Sequence, residues 1–82
     1  MYEAQVKITL KKTVADPQGL TVKHALESFG FSGINAVRMG KFITLKLDAK
    51  DQAEAQEKAQ KMCQKLLANP IIEDFSVEVK QI

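Results

Sequence analysis

The sequence has no tryptophan, one histidine and one cysteine. A lone thiol leaves no disulfide framework and suits a reducing compartment. A metal centre needs several ligands, and His24 has neither a second imidazole nor a cysteine nearby in the sequence. Aromatic residues are scarce: Tyr2, Phe29, Phe31, Phe42 and Phe75 complete the set. Single-strand nucleic-acid binders stack bases on aromatics and concentrate positive charge. Here the net charge is +2, with lysine and arginine spread along the chain, so nucleic acid is not an expected partner. No stretch approaches the ~20 apolar residues of a membrane span. Residues 1–7 lack an apolar run of signal-peptide length. The expectation is a cytoplasmic protein with no membrane contact.

The chain has 82 residues, and one domain over 1–82 is expected. A chain of this size buries about 60–65% of the surface it exposes when unfolded, so its core is thin. Assembly with other subunits is a common remedy.

Tyr2, Ala4, Val6, Ile8 and Leu10 alternate with Glu3, Gln5, Lys7, Thr9 and Lys11. A period of two predicts a strand with one wet face. "TVADPQG" follows as a turn, with Pro17 disfavouring helix at Asp16. A helix is expected to start near Gly19–Thr21, with Val22, Ala25, Leu26 and Phe29 as its apolar stripe and Gly30 at its end. "GFSG" reads as a loop, because a phosphate cradle needs more glycines and a following helix. Asp48 or Asp51 can cap a second helix, whose apolar residues are Ala55, Ala59, Met62, Cys63, Leu66 and Leu67. Asn69 suits a left-handed cap and Pro70 prevents continuation. Ile71, Phe75, Val77 and Val79 mark a last strand.

"NAVRMGKFITLKL", residues 35–47, admits two readings. A hairpin at Gly40-Lys41 makes the chain βαββαβ, a ferredoxin-like sandwich, but puts Val37 and Met39 on the opposite face from Ile43, Leu45 and Leu47. A single strand puts all five on one face, with Lys41 the only interruption. Pattern favours the single strand. Thirteen residues at ~3.3 Å each span roughly 43 Å, whereas a compact chain of this length is roughly 30 Å across. One end must project or bend, with Gly40 the expected bend, and a partner subunit can cover it. The expected fold class is therefore α+β, β-α-β-α-β. It is a small antiparallel sheet with a long middle strand at 35–47 and two helices on one face, in a strand-exchanged homo-oligomer.

No self-contained active site is visible. Cys63 lies on the buried stripe of the second helix, whereas a nucleophilic cysteine wants a base and an accessible, electropositive site. Glu73 and Asp74 are adjacent on a strand and point to opposite faces. Asp16, Asp48 and Asp51 are turn and cap residues. Arg38 and Lys41 are either solvated strand charges or an anion site. Association is the expected role.

Three stretches together carry a resemblance. They are Asp16-Pro17-Gln18-Gly19, Val37-Arg38-Met39-Gly40-Lys41, and Cys63-Gln64-Lys65-Leu66-Leu67-Ala68-Asn69-Pro70-Ile71-Ile72-Glu73-Asp74-Phe75. In that order and spacing the chain resembles the PurS family, the small subunit of phosphoribosylformylglycinamidine synthase. That enzyme converts formylglycinamide ribonucleotide to formylglycinamidine ribonucleotide in purine synthesis. The resemblance implies a non-catalytic subunit bridging a PurL-type synthetase and a PurQ-type glutaminase, with help in ammonia transfer as a further role. ATP and glutamine would be used by the complex, with no cofactor bound by this chain. The nucleophilic cysteine would belong to the glutaminase, not to Cys63. The resemblance also implies a homo-dimer or tetramer. Candidate partner-interface positions are Asp16, Pro17, Gly19, Arg38, Gly40, Lys41, Asn69, Pro70, Glu73 and Asp74. A ferredoxin-like small-molecule-sensing or RNA-binding module and a stand-alone enzyme are the rival readings.

Overall fold

The alternating N-terminal segment becomes the central strand of the protein. In the computed structural model, which describes residues 1–82, β1 (Tyr2–Leu10) lies between β2 (Gly40–Leu47) and β3 (Glu73–Gln81). Both pairings are antiparallel, with Val6 opposite Ile43 on one side and Val77 on the other. Residues opposite one another share a face. Tyr2, Ala4, Val6 and Ile8 therefore join Leu47, Leu45, Ile43, Val79, Val77 and Phe75 in one apolar layer. The opposite face carries Glu3, Lys7, Thr44, Lys46, Glu78 and Lys80, so the single wet face expected from the alternation is present.

The helix α2 (Gln52–Met62) covers the apolar face. Asp51 is its N-cap, accepting from the Glu54 N–H at 2.8 Å. Ala55 and Ala59 are fully buried against Ala4 and Val79. A methyl-sized side chain lets helix and sheet approach closely. The helix then widens into a π-helical turn, Cys63–Leu67, closed by the Ala68 N–H donating to the Cys63 carbonyl at 3.0 Å. This turn carries Cys63 and Ala68 onto Val6 and Ile8. Ala68 then takes up extended backbone and ends the helix. No non-glycine residue has a positive φ, so Asn69 is not a left-handed cap. Its side chain instead accepts from the Ile71 N–H at 3.1 Å.

α2 also covers one sheet edge. Gln52 and Gln56 donate from Nε2 to the Val79 and Val77 carbonyls at 2.9 and 3.3 Å. The outer edge of β2 has no such cover: its backbone bonds run to β1 alone.

The long segment 35–47 divides. Residues 40–47 form the ladder of β2, while 35–39 have no ladder partner within the chain. A strand needs a neighbour, and β1 ends at Leu10, opposite Glu73 rather than Met39. The hairpin alternative fails, because Gly40 and Lys41 themselves pair with Thr9 and Ile8. Gly40 serves close approach: a Cβ there would sit 2.7 Å from the Ile8 carbonyl oxygen. Ile71 lies outside β3 and is 82% exposed.

The helix α1 (Pro17–Ser28) begins at Pro17, earlier than the periodicity predicts, because proline suits the first helical position. Of the two helices, α2 alone lies on the sheet within one chain. Gly19 is the only buried residue of α1, and its stripe ends in an exposed Phe29. The molecule is accordingly drawn out. Its long axis is 51 Å and its Cα radius of gyration 16.2 Å, against about 12 Å for a compact chain of this length.

Candidate functional site

Where β1 runs past the end of α2, the sheet face is open, and the three motifs meet there. Ile8, Leu10, Asp16, Gln18, Met39, Gly40, Lys41 and Glu73 line a cleft of about 210 Å³.

Asp16 organises one wall. Its Oδ1 accepts from the Gly19 N–H at 3.0 Å, capping α1. Its Oδ2 accepts from the Met39 N–H at 2.6 Å, across 23 residues of chain. The Gly19 bond, followed by the Met39 bond, holds its carboxyl below the usual aspartate range; the nearby Arg38 guanidinium adds to this against the opposing effect of burial. A carboxylate with both oxygens committed to backbone donors is not a free general base. Pro17 sits at the exposed first position of the helix. Gly19 is pressed against the facing segment, where a Cβ would collide with the Val37 carbonyl oxygen.

Arg38 is exposed, but its guanidinium is not simply solvated. Its Nη2 donates to the Lys11 and Val14 carbonyls at 2.9 and 2.8 Å, pinning the loop after β1.

The other wall comes from the corner into β3. Glu73 Oε1 accepts from the Asn69 N–H at 2.7 Å, and its Oε2 lies 3.8 Å from Lys41 Nζ. Asp74, on the opposite face, pairs with Lys11 at 2.9 Å. Pro70 and Ile71 are exposed at the corner. Lys41 and Asp74 are candidate site residues whose charges pair at the surface; Asp16, Arg38 and Glu73 are tied to backbone groups of their own chain.

Sequence reasoning missed Lys11, which joins both walls. Its side chain meets Asp74, its carbonyl accepts from Arg38, and its N–H donates to the Ile72 carbonyl at 2.8 Å. The Lys11-Lys12 pair carried no signal beyond dispersed charge. Gln52 and Gln56 were also missed, because edge cover has no periodicity.

Away from the cleft, His24 is exposed on α1. Cys63 is fully buried, and burial pushes its thiol above its ordinary range. No group of three or more histidine, cysteine, aspartate or glutamate residues is arranged to hold a metal. No helix is long and apolar enough to cross a membrane.

A thin sheet with one free edge, and a cleft whose carboxylates serve the backbone, define a small α+β protein that presents surfaces. The family follows from comparison. Residues 3–81 match the family model of PurS, phosphoribosylformylglycinamidine (FGAM) synthase, and the chain belongs to that family. The PurS subunit of FGAM synthase from Methanocaldococcus jannaschii is 39% identical over all 82 residues and 99% of its own length. Its crystal structure, described as one subunit of formylglycinamide ribonucleotide amidotransferase in the purine biosynthetic pathway, superposes with a TM-score of 0.91. The Bacillus subtilis PurS subunit is 40% identical over the whole chain and 96% of its own length. A chain in the structure of PurLQS from Thermotoga maritima is 28% identical, covers 96% of each chain and gives a TM-score of 0.88.

Proposed function

We propose that this chain is the non-catalytic assembly subunit of FGAM synthase, bridging a PurL-type synthetase and a PurQ-type glutaminase in cytoplasmic purine synthesis. The observation that carries this is the match, over 96% of each chain, to a chain of the Thermotoga PurLQS structure. The complex uses ATP and glutamine; this chain contributes surface and not a reacting group, and assists ammonia transfer by holding the two partners together. Residues 1–82 act as one domain.

Two surfaces serve the role. The first is the free edge of β2 with the unpaired residues 35–39, which a second copy of the chain pairs with to give a dimer or tetramer. Unpaired edge groups and exposed Phe29, Phe31 and Phe42 support this. The second is the corner formed by Lys41, Asn69, Pro70, Glu73 and Asp74, which docks the synthetase–glutaminase pair. Asp16, Pro17, Gly19, Arg38 and Gly40 shape the neighbouring wall.

The test is co-purification. Tagged chain mixed with the synthetase and glutaminase, in the presence of ADP and glutamine, retains both partners. Retention of neither, by a chain that is folded, contradicts the proposal.

A further inference from the structure

The arm formed by α1 and residues 29–39 buries almost nothing against the sheet, yet it is held in one direction. Four features hold it, and all converge on residues 16–19 and 37–40. Asp16 ties the start of α1 to the Met39 N–H. Gly19 lets the Val37 carbonyl approach to a distance that any side chain would forbid. Arg38 anchors the loop leaving β1 through two carbonyls. Gly40 seats the start of β2 on the Ile8 carbonyl. Apolar packing backs them only in part: Leu20, Phe29 and Phe31 are all more than half exposed, and Val22, Leu26 and Val37 are half-buried.

We propose that Asp16 is a positioning residue for self-assembly: by clasping Met39 it fixes the angle at which the arm leaves the sheet, and so presents residues 35–39 to a second copy already oriented. An arm fixed before encounter loses less freedom on binding, which raises affinity without a new contact. The inference rests on the self-association proposed above. Asp16 acts here through backbone groups of its own chain, the Gly19 and Met39 N–H groups.

Asp16→Asn separates the clasp from the helix cap. Asparagine caps a helix as well as aspartate does, so Oδ1 still accepts from Gly19. Its amide nitrogen, however, meets the Met39 N–H donor to donor. Gly19→Ala approaches from the other side. Alanine favours helix over glycine, but its Cβ must push Val37 away. The measurement is the dimer dissociation constant from sedimentation equilibrium, with far-UV circular dichroism as the control on folding. Both variants are expected to keep their helix signal and to dissociate at least tenfold more readily than the parent. Affinity within twofold of the parent, with α1 intact, overturns the inference. Should Asp16→Asn lose helix signal, the dissociation constant of Gly19→Ala decides alone. A parent that stays monomeric overturns the self-association reading itself, and the positioning role with it.

Discussion

Lys41 and Glu73 reach toward one another over the central strand, Nζ to Oε2 at 3.8 Å, from opposite edges of the sheet. Lys41 lies opposite Ile8 and Glu73 opposite Leu10, so both project from the apolar face. The lone charge in the apolar register of β2 thus sits where α2 no longer covers that face. The pair is unequal, with the lysine side chain 61% exposed and the glutamate 14%. Exposed ion pairs contribute about 0–1 kcal/mol, whereas a hydrogen bond to a charged group contributes about 1.5–3 kcal/mol. Glu73 accepts from the Asn69 N–H. Lys41→Ala is therefore expected to lower stability by less than ~0.5 kcal/mol and Glu73→Ala by at least ~1 kcal/mol, read from urea unfolding at fixed protein concentration. Equal losses would place the stabilisation in the ion pair instead.

Docking of the synthetase–glutaminase pair is a separate matter. The hypothesis that the corner is the docking surface gives Lys41→Ala and Asp74→Ala a loss of at least ~1 kcal/mol in partner binding. Both side chains are largely exposed, so folding should be preserved. Calorimetric titrations indistinguishable from the parent would remove the corner as a candidate.

Cys63 is buried and its thiol titrates above its ordinary range. A folded-state value above the unfolded one stabilises the fold fully below the unfolded pKa, near 8.5. That contribution is lost as pH rises through the folded value. Stability should thus decline above about pH 8.5, and Cys63→Ala should lessen the decline. The folded thiol should also resist alkylation until urea is added. Cys63→Ala should leave the reconstituted synthase active. A loss of activity beyond about a hundredfold, with the complex formed, would show a chemical role for the thiol.

Ala55 and Ala59 show what was legible in the sequence and what was not. The second helix was readable from its aspartate cap and the helical spacing of its apolar residues. That its alanines also set the distance to the sheet follows only from their contact with Ala4 and Val79. The strands were readable because period-two alternation matches their single buried face. Parity over-reads residues 35–39, since it signals a strand's facing but not whether a partner lies beside it. At the site, three motifs far apart in sequence do meet around one cleft. Their roles were hidden, because the Asp16 and Arg38 bonds go to backbone groups, which leave no mark on residue type. Enlarging Ala59 to leucine should cost about 1–3 kcal/mol by overpacking, measured by thermal unfolding; an unchanged melting temperature would mean that helix and sheet are not in close contact.

Gln52 and Gln56 cover the β3 edge while the β2 edge is bare. An open edge invites further strand addition. The double substitution Gln52→Ala, Gln56→Ala should therefore produce species larger than the parent oligomer in multi-angle light scattering. A mass distribution identical to the parent's would show that the glutamines stabilise without guarding.

Glutamine-dependent FGAM synthesis by the reconstituted enzyme tests the central claim most directly. The chain alone should turn over neither glutamine nor ATP. Added in increasing ratio to the synthetase and glutaminase, it should raise glutamine-dependent product formation until the ratio saturates, while ammonia-dependent synthesis stays nearly constant. Glutamine-dependent synthesis that is unchanged when this chain is omitted would contradict the account.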